Sequence, residues 1–329
     1  MNQFGMSFFL KQPKIGEVAK IVEESGFDNL WVLDESPFPP YTDVFVNMCE
    51  AVRVTKTMKV GSALCNPYTR HPALIAVGMA SLNELAPGRI ITCIGPGGSM
   101  TLGPLGIKMW EKPLSAIREA FRILRGMYAG ETVTFEGEVL KAVNCRLKSK
   151  INEEMPIYLG ARGPKMLGLA GELSDGVLMT FPLDSIDHAL DKIKEGAKKA
   201  NRKLEEIEIV NEVIISVSKK REDAIENAKA NLCSLVASLP EDIAYREGIN
   251  LDEVNAVRNA LKKGVPEATK KMTSNMVESF AIVGTPDECA EKIEKWTKSG
   301  IDQLSLSMIG EDLSEKIKTT GEIIKSFKE

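Results

Sequence analysis

The feature of this sequence that most constrains its fold is a regular alternation of short apolar runs with longer amphipathic stretches. The apolar runs are bounded by Gly, Asp or Asn and predict strands. These strands are Phe4–Phe9, Asn29–Leu33, Met58–Leu64, Ile90–Ile94, Pro156–Leu159, Gly176–Thr180, Ile207–Val217 and Gln303–Ser307. The clearest helical stretches between or after them are Lys14–Ser25, Ala73–Leu85, Pro113–Tyr128 and Leu313–Phe327. Such alternation predicts a parallel α/β sheet covered by helices.

The number of strand–helix units favours a closed (β/α)8 barrel of the TIM type. The chain has 329 residues, and such a barrel takes about 250 residues or more. A doubly wound open sheet is the alternative, but the first turn, Leu10-Lys11-Gln12-Pro13, lacks a glycine-rich dinucleotide fingerprint. Because no linker or low-complexity segment divides the chain, we expect one domain over residues 1–329.

Two segments depart from the alternation and predict insertions into the barrel. Residues 131–148 include ETVTFEGEVLKAVNCRL, which predicts a hairpin turning near Glu136-Gly137. Residues 231–279 are charged and helical in pattern, with no clear strand. They predict a helical insertion before the last barrel strand.

Composition excludes several classes of function. A net charge of −4 argues against nucleic-acid binding, which normally needs a basic face. No apolar run is long enough to cross a bilayer, and the start MNQFGMSFFLKQPK does not resemble a signal peptide, so we expect a cytoplasmic protein. The six cysteines form no CxxC or CxxH pair and only two histidines are present. We therefore expect neither a metal site nor a disulfide framework.

In a (β/α)8 barrel, functional residues collect where strands end and loops begin. Asp34 and Glu35 follow the second strand and could contact a cofactor ring or move protons, although a turn capping the next helix is an alternative. The third and fourth strands run into the segments CNPYTRHP and GPGG, whose small residues would let a flat ring or a phosphate approach. His71, before Pro72, is interpreted as a loop or capping residue rather than a catalyst.

The fifth strand runs into Gly160-Ala161-Arg162-Gly163-Pro164. Free backbone N–H groups at a helix start, together with Arg162 and Lys165, predict an anion site. A glycine turn with a solvated basic pair is the alternative. Because phosphate sites of such barrels often lie on later loops, the fold alone does not decide between the two.

Taken in order, these loops resemble the luciferase-like (β/α)8 flavin and deazaflavin oxidoreductases. Within that family the chain is most similar to the archaeal methylenetetrahydromethanopterin reductases, which use coenzyme F420. The resemblance covers nearly the whole chain. Its segments are CNPYTRHP (65–72), ELAPGRIITCIGPG (84–97), IYLGARGPKMLGLAGELSDGVL (157–178), ESFAIVGTPDE (278–288) and SMIGED (307–312).

The resemblance implies roles for particular residues. The loop Gly160–Pro164 would hold the phosphate of the coenzyme, and Asp34 would contact the polar edge of the ring. A non-prolyl cis peptide at about Ala63–Leu64 would bend the third strand against one face of the ring. The residues thereby assigned to the coenzyme are Asp34, Ala63, Leu64, Asn66, Gly97, Gly98, Gly160, Ala161, Arg162, Gly163 and Pro164. Those assigned to the substrate are Ser7 and Thr180, and those assigned to catalysis are Glu35 and Asp34.

The chain departs from the family pattern at three acid/base positions. Asp34-Glu35 stands where the family reductases usually have Asp–His. Ser7 replaces a frequent Glu, and Gly98 replaces an Asp, or a Glu in related sugar-phosphate dehydrogenases. Glu35 is the only ionisable group left among the three. A lysine that grips the sugar phosphate in those dehydrogenases is Leu183 here, which disfavours that substrate class.

The resemblance therefore implies hydride transfer between reduced F420 and a methylenetetrahydromethanopterin-like substrate, which reduces a methylene to a methyl group. Alternatives are an F420-dependent reductase or dehydrogenase of another small alcohol or carbonyl compound, an FMN-dependent monooxygenase, and a binding protein that has lost its acids. We expect a small pterin-like molecule as partner, with neither nucleic acid nor membrane. The family usually forms dimers or tetramers; the apolar residues of Val44–Met48 could serve a homo-oligomer or simply pack on the barrel.

Overall fold

The computed structural model describes residues 3–8, 15–34, 42–108, 112–148, 151, 153–239, 241–246, 249–308 and 313–328. The strands are β1 (Gln3–Phe8), β2 (Asn29–Leu33), β3 (Lys59–Ala63), β4 (Ile90–Ile94), β5 (Val133–Glu136), β6 (Lys141–Cys145), β7 (Ile157–Gly160), β8 (Gly176–Met179), β9 (Glu208–Val217), β10 (Ala281–Gly284) and β11 (Gln303–Met308). The helices are α1 (Ile15–Glu24), α2 (Val44–Val54), α3 (Pro72–Leu85), α4 (Ser99–Leu102), α5 (Pro113–Tyr128), α6 (Pro164–Leu173), α7 (Ile186–Lys199), α8 (Arg221–Ala237), α9 (Glu241–Arg246), α10 (Leu251–Leu261), α11 (Val265–Thr269), α12 (Ser274–Phe280), α13 (Pro286–Thr297) and α14 (Leu313–Lys325).

Eight parallel strands close into a barrel in the order β1-β2-β3-β4-β7-β8-β9-β11, and β11 pairs back onto β1. The closing register runs from Gln3 opposite Gln303 to Phe8 opposite Met308. This confirms the predicted (β/α)8 barrel and rules out the doubly wound sheet. The strand β10 was not predicted, and it pairs in parallel with the last residues of β9.

The two irregular segments have the following structures. β5 and β6 pair antiparallel and form a hairpin. The carboxylate of Glu119 on α5 holds the hairpin turn, because it accepts the backbone N–H groups of Glu138, Val139 and Leu140 at 2.6, 3.0 and 2.7 Å. Helices α8–α12 lie between β9 and β10, and α8 begins at Arg221, earlier than the sequence pattern suggested. That the chain forms a single domain remains a prediction.

A network of large side chains fills the amino-end half of the barrel interior. The indole Nε1 of Trp31 donates to Oε1 of Gln303 at 2.7 Å, and the amide of Gln303 donates to Glu208 at 3.1 Å. The hydroxyl of Tyr158 also bonds to Glu208. Gly61 makes room for the indole, because a Cβ there would lie 2.5 Å from the Trp31 ring. With this end of the barrel filled, the site must lie toward the carboxyl ends of the strands.

Helices α6 and α7 approach each other backbone to backbone. A Cβ added to Gly196 would overlap the carbonyl oxygen of Gly168, and one added to Gly171 would overlap that of Ile193. The sequence can form this contact because glycine has no side chain to separate the two helices. The contact fixes the position of α6, whose first turn follows the predicted anion loop.

Three general properties of the described residues bear on the class of protein. No described helix is both long and apolar enough to cross a membrane. Within the same ranges, no group of three or more His, Cys, Asp or Glu side chains is placed to hold a metal ion. All six cysteines are unpaired, and Cys65, Cys93, Cys233 and Cys289 are buried.

Candidate active site

The end of β3 forms a flat wall at the mouth of the barrel. The peptide bond between Ala63 and Leu64 is cis, as the resemblance to the luciferase-like family implied. The Leu64 side chain lies against two glycines: a Cβ on Gly95 would lie 2.8 Å from it, and one on Gly160 would overlap it. Leu64 thus reaches across the ends of β4 and β7, and the missing side chains at both glycines keep this surface smooth.

The turn after β4 packs against the loop after β3. Gly97 has a positive φ of 71°, and a Cβ on it would lie 3.2 Å from the side chain of Asn66. Asn66 is buried, and its Oδ1 accepts the backbone N–H groups of Tyr68 and Thr69 at 3.2 and 2.9 Å. No atom of the described residues lies within 4 Å of a Cβ on Gly98. Asn66 therefore shapes its own loop.

Asp34 lies half-buried beside the loop after β3. Burial raises the pKa of its carboxyl above the ordinary value; a hydrogen bond with Cys65 and the charge of Arg70 lower it, and the charge of Asp43 raises it. Arg70 is itself paired with Asp43 at 2.6 Å. Asp34 therefore belongs to a polar cluster at the mouth. Glu35, the other predicted catalytic carboxylate, lies outside the described residues.

The predicted anion loop combines a helix start with a buried guanidinium. Gly163 caps α6, which begins at Pro164, and both residues are exposed, whereas Ala161 is buried. The Nη1 atom of Arg162 donates to Ser238 Oγ at 3.0 Å, just after α8. Its Nε is buried without a hydrogen-bond partner among the described residues, and burial lowers the pKa of this guanidinium. A buried donor of this kind usually has a partner, and an anion would supply one.

The far side of the mouth carries hydroxyl groups. Ser7 lies opposite Ser307 in the β1–β11 register, and both are fully buried. Their Oγ atoms, with that of Ser305, have no hydrogen-bond partner within the described ranges. Thr180, at the end of β8, is half-buried. The structure thus brings Ser7 and Thr180 to the inside of the barrel, but places them on different strands.

Sequence reasoning missed a carboxylate on the same side, Glu212 of β9. It is half-buried and lies opposite Ser305 in the β9–β11 register. Val210 is buried in the interior cluster around Trp31. Because side chains alternate between the two faces of a strand, Glu212, two residues further along β9, also faces inward. A charged residue in the middle of an apolar strand was the signal that could have identified it.

Comparison with known proteins identifies the family. Residues 11–303 match the sequence profile described as luciferase-like monooxygenase. The chain belongs to the luciferase-like family. This membership and the barrel together confirm the resemblance seen in the loops.

The chain is also similar to particular members of the family. The chain is 36% identical to "5,10-methylenetetrahydromethanopterin reductase" of Methanolobus tindarius, over 98% of this chain and 99% of the relative. It is 36% identical to the protein of the same name from Archaeoglobus fulgidus, over 99% and 100%. The solved structure of a coenzyme F420-dependent tetrahydromethanopterin reductase from Methanopyrus kandleri superimposes with a TM-score of 0.89 at 29% identity, covering 99% of each chain.

Proposed function

We propose that this chain is a coenzyme F420-dependent oxidoreductase that transfers hydride from the reduced deazaflavin to a methylenetetrahydromethanopterin-like substrate and so converts a methylene to a methyl group. Support comes from near-full-length relatives that carry the name of that reductase. It also comes from a structural relative described as F420-dependent. The observation that carries the proposal is the pairing of a flat wall at Leu64 with a buried donor, the Nε of Arg162, that has no partner among the described residues.

The residues at the mouth fit the coenzyme. The wall formed by Leu64, Gly95 and Gly160 offers a smooth apolar surface for a planar ring. The Nε of Arg162, beside the start of α6, would hold a phosphate, because helix N-termini and guanidinium groups both favour anions. When bound, the coenzyme supplies the hydride, and the protein supplies position and a dry environment.

The remaining site residues have proposed roles toward the ring and the substrate. Asp34 contacts the polar edge of the ring, and its half-buried position makes that contact stronger than it would be in water. Ser7 and Thr180 face the substrate. Glu35 gives a proton to the nitrogen released when the methylene bridge opens. Because hydride delivery to a preformed cation needs little acid catalysis, a single carboxylate is sufficient for this chemistry.

The proposal is tested by titrating the purified protein with oxidised F420 and, separately, with FMN. Trp31 lies in the interior beneath the site, so quenching of tryptophan fluorescence reports occupancy. We expect tight binding of F420 and weak binding of FMN. Tight binding of FMN alone would overturn the proposal in favour of a monooxygenase. Binding of F420 with turnover of an alcohol and not of the pterin would favour a dehydrogenase of another substrate.

We further infer that the protein is a cytoplasmic homodimer or homotetramer. An apolar face built from α2, α3 and the β5–β6 hairpin supports association. Its exposed members include Val46 at 65%, Leu74 at 62% and Val143 at 60% exposure. An exposed apolar patch of this kind is typical of a protein–protein interface. The unpaired cysteines are compatible with a reducing compartment.

A further inference from the structure

The interior of the barrel has two opposite walls at the level of the site. In the closed strand order, β7 and β8 lie between β4 and β9 on one side, and β1 and β2 lie between β11 and β3 on the other. The pair β3–β4 therefore faces the pair β9–β11 across the barrel. The first wall carries the flat surface at Leu64. The second carries Glu212 and the buried hydroxyls of Ser305 and Ser307. A ring lying on the first wall therefore presents its open face to the second.

Glu212 places a negative charge on the second wall. It is half-buried on the inner face of β9, while its neighbour Val213 packs in the outer core under the helices. Its field extends across the barrel to Cys93 of β4. Burial raises the pKa of the Cys93 thiol, and the charge of Glu212 raises it further. The carboxylate thus acts on the space between the two walls.

Three buried hydroxyl groups lie beside Glu212 on β11 and β1. Ser7, Ser305 and Ser307 are fully buried, and no hydrogen-bond partner for their Oγ atoms lies within the described part of the chain. Buried hydroxyls in folded proteins nearly always have a partner. Ser305 is the register neighbour of Glu212, so the hydroxyls and the carboxylate line one surface. The second wall therefore combines one carboxylate with several hydroxyl groups, and the chemistry of this combination suits a positively charged group.

We propose that Glu212 is a catalytic residue whose carboxylate stabilises a positive charge on the substrate held between the two walls. The inference rests on the proposed function, which supplies a substrate of this chemistry. When one C–N bond of the methylene bridge breaks, its electron pair stays on the nitrogen, which takes the proton assigned above to Glu35. The bridging carbon becomes an iminium cation, accepts the hydride and ends as a methyl group. A fixed anion in a water-poor site favours formation of this cation from the neutral methylene substrate.

Equilibrium binding to the F420-loaded protein tests this inference without turnover. The methenyl form of the pterin is a stable amidinium cation, whereas the methyl form is neutral at the same carbon. We expect the wild-type protein to bind the methenyl form more tightly. Glu212→Gln should reduce that preference by about tenfold or more, the scale of losing one charged partner. Affinity for F420 and for the methyl form should hardly change.

Turnover and control variants complete the test. Glu212→Gln should lower kcat by about 10²-fold, as removal of a charge-stabilising group usually does, and Glu212→Asp should restore part of it. Glu205→Gln removes the same charge from an exposed turn before β9 and should leave binding and turnover unchanged. A wild-type protein without preference for the cation, or a Glu212→Gln variant that keeps it, would overturn the inference alone. A wild-type protein that binds neither pterin would overturn the proposed function as well.

Discussion

Arg162 is the residue on which the coenzyme assignment depends most. A guanidinium buried without a full set of partners is unfavourable. Among the described residues, Ser238 accepts a hydrogen bond from Nη1 of Arg162 and Nε has no partner, which leaves Nε available to a ligand. Burial also lowers the pKa of this group. An arginine in such a place stabilises an anion more strongly than an exposed one does.

We therefore expect Arg162→Ala to weaken F420 binding by about tenfold to a hundredfold, since a charge-assisted hydrogen bond contributes about 1.5–3 kcal/mol. Fluorescence titration measures the effect. The deazaflavin nucleoside that lacks the phosphate should bind the variant and the wild type equally. Lys165→Ala, at an exposed position of the same helix start, should have a smaller effect. An equal loss for both ligands would show that Arg162 does not contact the phosphate.

Glu35 carries the second prediction at this scale. If it protonates the nitrogen of the opening bridge, Glu35→Gln should lower turnover by about 10²-fold, the usual contribution of general acid catalysis. The affinity for F420 should change little, because the proton goes to the substrate. Steady-state kinetics and the same titration separate the two quantities. Turnover at the wild-type rate would remove Glu35 from the mechanism.

The sequence located most of the residues that the structure brings to the mouth, because small residues and turn signals at strand ends mark loops. Glu212 was not predicted, because only the loops that follow the strands were considered and Glu212 lies within β9. The assignment of Asn66 to the coenzyme remains a prediction; the structure adds that its Oδ1 accepts the backbone N–H groups of Tyr68 and Thr69 in its own loop. Such internal bonds depend on local backbone geometry, which a single sequence does not state.

At the scale of elements, the anion loop depends on the contact between α6 and α7. Gly196→Ala would force a methyl group against the Gly168 carbonyl, and backbone atoms cannot move aside cheaply. We expect a loss of about 2 kcal/mol or more in the free energy of unfolding, in the range of overpacked cores, and weaker F420 binding because α6 shifts. Urea unfolding and titration measure these effects. Gly103→Ala, where the added Cβ would meet no atom of the described residues within 4 Å, is the control and should be nearly neutral.

Secondary structure was predictable at this scale wherever an apolar run was long enough to show its period. The eight barrel strands begin and end within one residue of their predicted bounds. β10 was not predicted because it is only four residues long and lies directly between α12 and the residue that precedes α13. The helical insertion begins earlier than predicted because the amphipathic pattern of α8 is weak, so its first turns resembled a loop.

At the scale of the whole molecule, the apolar face of α2, α3 and the hairpin predicts self-association. Leu74 and Val77 on α3 are 62% and 46% exposed. Leu74→Glu combined with Val77→Glu should shift the protein toward monomers, because burying two new carboxylates at an interface is costly. Sedimentation velocity measures the change. Leu251→Glu, at an exposed position on α10, is the matched control, and dissociation of that variant as well would point to general destabilisation.

The central claim is that a hydride passes from reduced F420 to the bridging carbon of the pterin. The most direct measurement uses reduced F420 carrying two deuterium atoms at C5, with methylenetetrahydromethanopterin as substrate and mass spectrometry of the product. The account predicts that the product methyl group contains one deuterium per molecule, because the carbon receives its new hydrogen directly from the coenzyme. A methyl product without deuterium, or oxidation of the coenzyme without any methyl product, would contradict it.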